Sequence, residues 1–294
     1  MNYEHWETFI SLAETNSFTR TAEKLNISQT TVTNRIKQLE NQIGKLLFIR
    51  DTRSVKLSEA GTILYPFAKK GIDILKHGEF VAKSFIDYDE KLAIGSLVSI
   101  WHYFLLPYVQ KLKLNYNNYT LRLYTGHTQR MFQLLLDGII DVCVVPSKPQ
   151  HPDLEYVRLF EEPFYLVGSP ELFNEGVVEL TRDHMDKSSF IHIPWETPFI
   201  EWFHNEIGTK LFPSIEVDDT TLYVRILLDQ KMMGFLPDIV ARQYINNEEL
   251  VKIPFKSVFP MPKRSIYLVH HKKNKGSRAL QSFKNILINE KDEI

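Results

Sequence analysis

At 294 residues, with 44% hydrophobic and 24% charged positions, the chain has the make-up of an ordinary globular protein of two or three domains, which excludes a disordered or fibrous one. A single cysteine, Cys143, excludes an internal disulfide framework and suits a reducing cytoplasm. The net charge of −1 is unevenly spread: Ser17 to Leu57 holds eight basic residues against Glu23, Glu40 and Asp51, a local +5 that leaves −6 for the remainder.

The first residues, "MNYEHWETFISLAETNSF", show no basic stretch followed by an apolar core, so no secretory signal is expected. No run of about 18 apolar residues is present to span a membrane. Trp6, Phe9, Ile10 and Ala13 mark the apolar stripe of a first helix, and Phe18, Ala22 and Leu25 that of a second, with Ser17 as its N-cap. "LNIS" interrupts, and Ser28 then caps a third helix in which Val32, Ile36 and Leu39 share a face. This order fits a helix-turn-helix, and equally any αα-hairpin. The opposite face of the third helix carries Gln29, Thr30, Thr33, Asn34 and Lys37, whereas a solvated face without a task is usually richer in Glu–Lys pairs. Short, uncharged, hydrogen-bonding side chains approach base edges and phosphates without bringing negative charge. Ser28, Gln29, Thr30, Thr33, Asn34, Arg35 and Lys37 are therefore the candidate DNA contacts on this helix. "KLLFIRDTRSVKLS" follows as two short β-like runs around "DTRS", a hairpin whose tip and shoulders carry Arg50, Arg53 and Lys56. Three helices and a basic hairpin make a winged helix-turn-helix, and the local positive charge is the footprint of a polyanion binder.

From Ser58 to about Tyr88 a long helix is expected, with an apolar stripe through Ile63, Leu64, Phe67, Ala68, Ile72, Leu75, Val81 and Phe85. So long a stripe cannot fold back on a small domain and implies a partner helix, with Pro66 marking a bend. From Lys91 strands alternate with helices: "KLAIGSLVSI", "WHYFLLPYVQKLKLNY", "LRLYTG", "TQRMFQLLLDG" and "DVCVV", then a second set from Pro163, which together predict parallel α/β sheets. Two such halves predict a cleft beyond the strand ends. Ser96 and Ser99 follow the first strand, His127 and Thr128 the second and Ser147 the third, while His192 and Trp195 come from the other half. Helix N-termini there suit a small carboxylate or other anion. Cys143 is expected to be an inert strand thiol. His270 and His271 point to opposite strand faces, so no metal site is expected, and no Gly-x-Ser-x-Gly elbow, P-loop or His-Glu-x-x-His occurs. Neither a cofactor nor catalysis is expected.

Phe18, Ala22, Leu25, Ser28, Gln29, Val32, Ile36, Leu39, Glu40, Gly44, Leu47, Phe48, Arg50, Leu57, Glu59, Ala60 and Gly61 stand in the register of the LysR-type transcriptional regulators. "IGSLVSI…LLP", "LDGIIDVCVV" and "MGFLPDIVA" likewise resemble that family's periplasmic-binding-protein-like effector domain. The resemblance covers the whole chain. It implies a winged helix-turn-helix domain over 1–58, a linker and dimerisation helix over 59–90, and an effector-binding domain over 91–294. In that domain, subdomain I takes about 91–162 and 265–294, and subdomain II about 163–264. It further implies a cytoplasmic homotetramer, with a double-stranded DNA operator, a small-molecule effector and RNA polymerase as partners. Ser99 and Thr128 stand where the family contacts its effector. The chain departs from the pattern at Leu46, often Pro, at Thr21, commonly Ala, and at Asp51, which weakens phosphate attraction beside Arg50. The rival classes are a cytoplasmic small-molecule receptor whose helix-turn-helix serves only dimerisation, and an enzyme with a DNA-binding head.

Overall fold

The computed structural model describes residues 2–51, 54–84, 90–173, 179–185, 187–208 and 213–289. The chain divides into two compact units, Met1–Ile86 and Asp87–Ile294.

The first unit is three short helices, a hairpin and a long helix. α1 (Tyr3–Thr15), α2 (Phe18–Leu25) and α3 (Gln29–Ile43) are capped as the sequence indicates: Ser17 Oγ accepts from Arg20 N at 3.4 Å and Ser28 Oγ from Thr31 N at 3.1 Å. Phe9, Leu12, Val32, Ile36 and Leu39 are fully buried and close the core. α3 ends at Gly44, whose φ of +73° is the left-handed cap that favours glycine. The buried Glu40 carboxylate then accepts from Leu47 N at 2.9 Å and Phe48 N at 3.3 Å, which sets the start of β1. β1 (Phe48–Asp51) pairs antiparallel with β2 (Ser54–Leu57), with Arg50 opposite Val55. Arg53, expected at the tip, lies outside the described residues, as does the side chain of Arg50.

α4 (Glu59–Ser84) contains Pro66 and starts where Ser58 Oγ accepts from Gly61 N at 3.0 Å. A Cβ at Gly61 would lie 2.1 Å from the Leu47 carbonyl oxygen, so only glycine permits this approach. The expected stripe divides in two. Ala68 and Ile72 are buried in the unit's core, whereas Phe67 is 71% exposed and Leu75 55%. Tyr3, Trp6, Leu64, Phe67, Gly71 and Leu75 border an apolar hollow of about 400 Å³. Phe85 and Tyr88 lie outside the described residues.

The second unit holds two sheets. The first has five strands in the order β4-β3-β5-β12-β6: β3 (Glu90–Ser96), β4 (Tyr119–Thr125), β5 (Val142–Val145), β6 (Leu154–Glu162) and β12 (Arg264–His271). It is mixed rather than parallel: β3 runs parallel to β4 and β5, while β12 runs antiparallel to both β5 and β6. The parallel strands are separated by helices, α5 (Val98–Ile100), α6 (Leu106–Asn115) and α7 (Thr128–Leu136), whereas β6 and β12 are not, and antiparallel pairing needs no crossover. Between α5 and α6 the helix passes through a π turn, Trp101–Leu105, ahead of Pro107, which has no N–H to give. β6 is absent from the sequence reading, since its charged residues Glu155, Arg158 and Glu161 mask the alternation. Cys143 is fully buried in β5, and burial pushes its thiol well above the ordinary value.

The second sheet orders β10 (Met233–Pro237), β7 (Phe164–Gly168) and β11 (Val251–Lys252), all antiparallel, beside a short parallel pair, β8 (Ile191–His192) and β9 (Ile215–Glu216). α8 (Phe199–Glu206), α9 (Thr220–Asp229) and α10 (Asp238–Asn246) cover it, while α11 (Arg278–Asn289) returns to the first sheet. Its core is aromatic, with Phe164, Phe190, Phe199, Phe203 and Phe235 in edge and stacked contacts. No helix among the described residues is long and apolar enough to cross a membrane.

Candidate ligand cavity and nucleic-acid interface

On α3, Gln29, Thr30, Asn34 and Lys37 are exposed, and Thr33 is half-buried with its Oγ1 donating to Gln29 O at 3.0 Å. Ser28 is exposed but occupied by capping, and it also bonds Thr31 Oγ1 at 2.8 Å. Arg35 departs from the expectation. Its position turns it toward α1, where it pairs with Glu4 and donates to Thr8 Oγ1 at 3.4 Å, so it is spent within the fold.

Where the two sheets of the second unit face one another, a cavity of about 330 Å³ opens. From the first sheet it is lined by Leu97, Val98, Ser99, Gly126, His127, Pro146 and Arg264; from the second by Ile193, Pro194, Trp195, Glu196, Asp218, Asp219 and Thr220. Three helices begin at its wall, and they are finished differently. α5, after Leu97, and α7, after His127, have no side-chain cap. α9 is capped by Asp219, whose Oδ1 accepts from Leu222 N at 2.9 Å. Thr128 opens α7 beside His127. It is 3% exposed, and its buried Oγ1 has no hydrogen-bond partner.

Arg264, 6% exposed, starts β12 at the cavity wall. Its Nε donates to Glu162 Oε1 at 2.8 Å, and Nη2 lies 2.6 Å from the same oxygen. The other Glu162 oxygen accepts Ile239 N at 2.8 Å and so caps α10. The guanidinium also lies over the Trp195 ring at 5.5 Å, while the indole Nε1 donates to Phe235 O at 3.0 Å. Side-chain bonds also cross between the two halves where Ser147 Oγ donates to Glu196 and where the Tyr103 and Tyr244 hydroxyls meet at 3.0 Å.

Ser99, His127 and Trp195 thus line the cavity, and four other expected residues do not: Thr128 sits next to His127 with its hydroxyl fully buried, outside the lining. Ser96 is fully buried and donates to Val144 O at 2.6 Å, because the last residue of β3 turns its side chain under the neighbouring strand. Ser147 is bonded to Glu196 and faces a separate hollow with Phe132, Lys148 and Ile200. His192 belongs to the aromatic core: it is 6% exposed and stacks on Phe203 at 4.1 Å, and burial, aided by His204, lowers its pKa to about 4. The wall is instead built by the four residues after it. Glu196, Asp218, Asp219 and Arg264 are absent from the sequence reading; an Asp-Asp-Thr run ahead of an apolar helix is a capping signal that could have drawn attention to two of them.

A helix-turn-helix with a hydrogen-bonding outer face, followed by two sheets around a cavity, defines a ligand-responsive DNA-binding regulator. Comparison with known proteins agrees. Residues 3–62 match the family model of the bacterial regulatory helix-turn-helix proteins of the lysR family, and residues 87–292 match the LysR substrate binding domain. The chain belongs to the LysR-type transcriptional regulators, with a helix-turn-helix DNA-binding domain and an effector-binding domain. It is 25% identical over 252 residues to the HTH-type transcriptional regulator HdfR of Yersinia enterocolitica, an alignment covering 83% of this chain and 84% of that one. Full-length CbnR in complex with its target DNA shares the fold with a TM-score of 0.72 at 18% identity, over 99% of this chain and 100% of that chain. Full-length LysG of Corynebacterium glutamicum with bound effector Arg does so with a TM-score of 0.54 at 18% identity, over 100% and 99%.

Proposed function

We propose that α3 enters the major groove of an operator, with Gln29, Thr30, Thr33 and Asn34 at base edges and Lys37 on phosphate, while the hairpin arginines Arg50 and Arg53 track the backbone or minor groove. Ser28 orders the first turn and Arg35 braces α3 against α1. The chain acts in the cytoplasm as a homodimer joined along the exposed Phe67 and Leu75 face of α4, so that two copies of α3 meet a two-fold-related site. The resemblance extends this to a homotetramer that also engages RNA polymerase. That α4 carries the unpartnered apolar face, and α3 a polar one, favours this reading over a helix-turn-helix kept for dimerisation alone.

The effector, a small molecule with a carboxylate or similar anionic group, binds in the cavity beside the uncapped start of α7, near Ser99, His127 and Thr128, against Trp195. One observation carries this reading: the Thr128 hydroxyl is buried without a partner at a helix N-terminus whose N–H groups have no side-chain cap. An unsatisfied buried hydroxyl costs about 1–3 kcal/mol, a cost that a ligand acceptor would remove. Thermal denaturation of the full-length protein with small carboxylates, amino acids and inorganic anions tests it. A ligand at 100-fold its dissociation constant adds about 2.7 kcal/mol. Thr128→Val should lose the shift, and an unchanged shift places the pocket elsewhere.

A further inference from the structure

α4 is pinned at its start and loosened soon after. Gly61 sits against the Leu47 carbonyl, whereas Pro66, five residues on, gives no N–H to the helix ladder. Beyond Pro66 the buried Ala68 and Ile72 pack α4 on the three-helix head, but apolar contacts carry no direction. Ion pairs supply it. Glu14, in the last turn of α1, is bonded by Lys24 of α2 at 2.8 Å, by Lys69 of α4 at 3.4 Å and by the Tyr65 hydroxyl at 3.5 Å. Glu7 pairs with Lys76 at 3.2 Å. Glu7 and Glu14 are seven residues apart on α1, as are Lys69 and Lys76 on α4, so the two ties lie about two turns apart on antiparallel helices. A crevice of about 180 Å³ opens between the helices, and on its wall the buried Ser11 hydroxyl has no hydrogen-bond partner. Half-exposed pairs like these add little to stability, since water screens them. Two of them in matched register hold an angle instead.

We infer that Glu7 and Glu14 are positioning residues for operator spacing: by holding Lys76 and Lys69 they set the angle at which α4 leaves the head, and through it the separation of two α3 copies on DNA. Lys76 lies ten residues beyond Pro66, about 15 Å along a helix, so a swing of about 20° displaces α4 there by about 5 Å. That is about one and a half base-pair steps, enough to carry a recognition helix off its half-site. The inference rests on the reading of α4 as the joint between two copies of the chain.

The test is binding of the full-length protein to a DNA series in which two copies of its selected half-site are separated by every spacing from about one to two helical turns. It is made on wild type, on Lys69→Glu/Lys76→Glu, and on the exchange Glu7→Lys/Glu14→Lys/Lys69→Glu/Lys76→Glu, with sedimentation and unfolding measured alongside. Wild type should prefer one spacing at least tenfold over those two base pairs away. Lys69→Glu/Lys76→Glu should bring that preference below threefold, with the affinity for a single half-site and the unfolding midpoint unchanged, and the exchange should restore it. A wild-type preference in Lys69→Glu/Lys76→Glu overturns the inference and leaves the joint intact. A lost preference that the exchange does not restore, or one that comes with equal loss on a single half-site, also overturns it. Wild type that sediments as a monomer and binds every spacing alike overturns the reading of α4 as the joint, and the inference with it.

Discussion

The two walls of the cavity are built from the same parts, strand ends followed by helix N-termini, yet they are finished in opposite ways. At α7 the N-cap position is His127, which makes no capping bond, and the next residue buries a hydroxyl with no partner. At α9 the N-cap is Asp219, which bonds Leu222 N, and the wall around it is acidic. A helix start that the protein itself caps is stable and closed to an anion. One left uncapped keeps its first-turn N–H groups without a side-chain acceptor. The comparison separates what each wall does for stability from what it does for binding.

The largest expected effect breaks the link between the walls. Arg264 lines the cavity and is the counter-ion of Glu162, which caps α10 from the second sheet's side. Arg264→Met should destabilise the protein by about 3–5 kcal/mol in urea unfolding, because a buried carboxylate is left unpaired. Adding Glu162→Gln to it should restore most of that loss; a loss of less than 1 kcal/mol in the single variant would show that the pair is dispensable.

Next comes the acid sensitivity of the aromatic core behind the second wall. His192 has its pKa lowered to about 4 by burial, from an unfolded value of about 6.5. Between these values the unfolded chain binds the extra proton and the folded chain does not. Its contribution is therefore complete above pH 6.5 and is lost as pH falls toward 4, by about 3 kcal/mol. His192→Phe, which keeps the stack on Phe203, should flatten this window in denaturation profiles measured from pH 7 to 4. A slope equal to wild type would assign the acid sensitivity to other groups.

Smaller effects sharpen the contrast directly. Gln29→Ala and Asn34→Ala should each reduce discrimination among operator sequences by about 1–3 kcal/mol without altering the unfolding midpoint, since both side chains are exposed. Wild-type footprints from both variants would remove α3 from the role of reader. Asp219→Ala should cost about 1 kcal/mol as a lost cap, whereas His127→Ala should cost less than about 0.5 kcal/mol. Equal losses in thermal unfolding would erase the asymmetry between the walls.

What was legible in the sequence follows the distance over which each feature is encoded. The helix-turn-helix lies within one continuous stretch: Ser17 and Ser28 cap the neighbouring turns, and the buried Val32, Ile36 and Leu39 recur at helical spacing. Arg35 escaped that logic because its partner Glu4 sits on another helix. The cavity is encoded over a far longer range, since Val98, Glu196, Asp218 and Arg264 meet only once both sheets have formed. Ser99, His127 and Trp195 were visible because each directly follows a strand, while the one-step alternation of a two-residue strand decided that His192 turns inward and the residues after it outward. β6 was hidden because an edge strand with Glu155, Arg158 and Glu161 carries too little apolar alternation.

The central claim is that a ligand bound beside the start of α7 alters what α3 does on DNA. It is tested by fluorescence anisotropy of the full-length protein on operator DNA selected by the protein from random sequence, titrated with a small anion found to bind in the thermal screen. Wild type and Thr128→Val should bind the DNA alike without ligand, because the substituted side chain lies in the effector-binding domain. The ligand should then shift the operator affinity of wild type and leave that of Thr128→Val unchanged. An equal shift in both proteins would contradict the account.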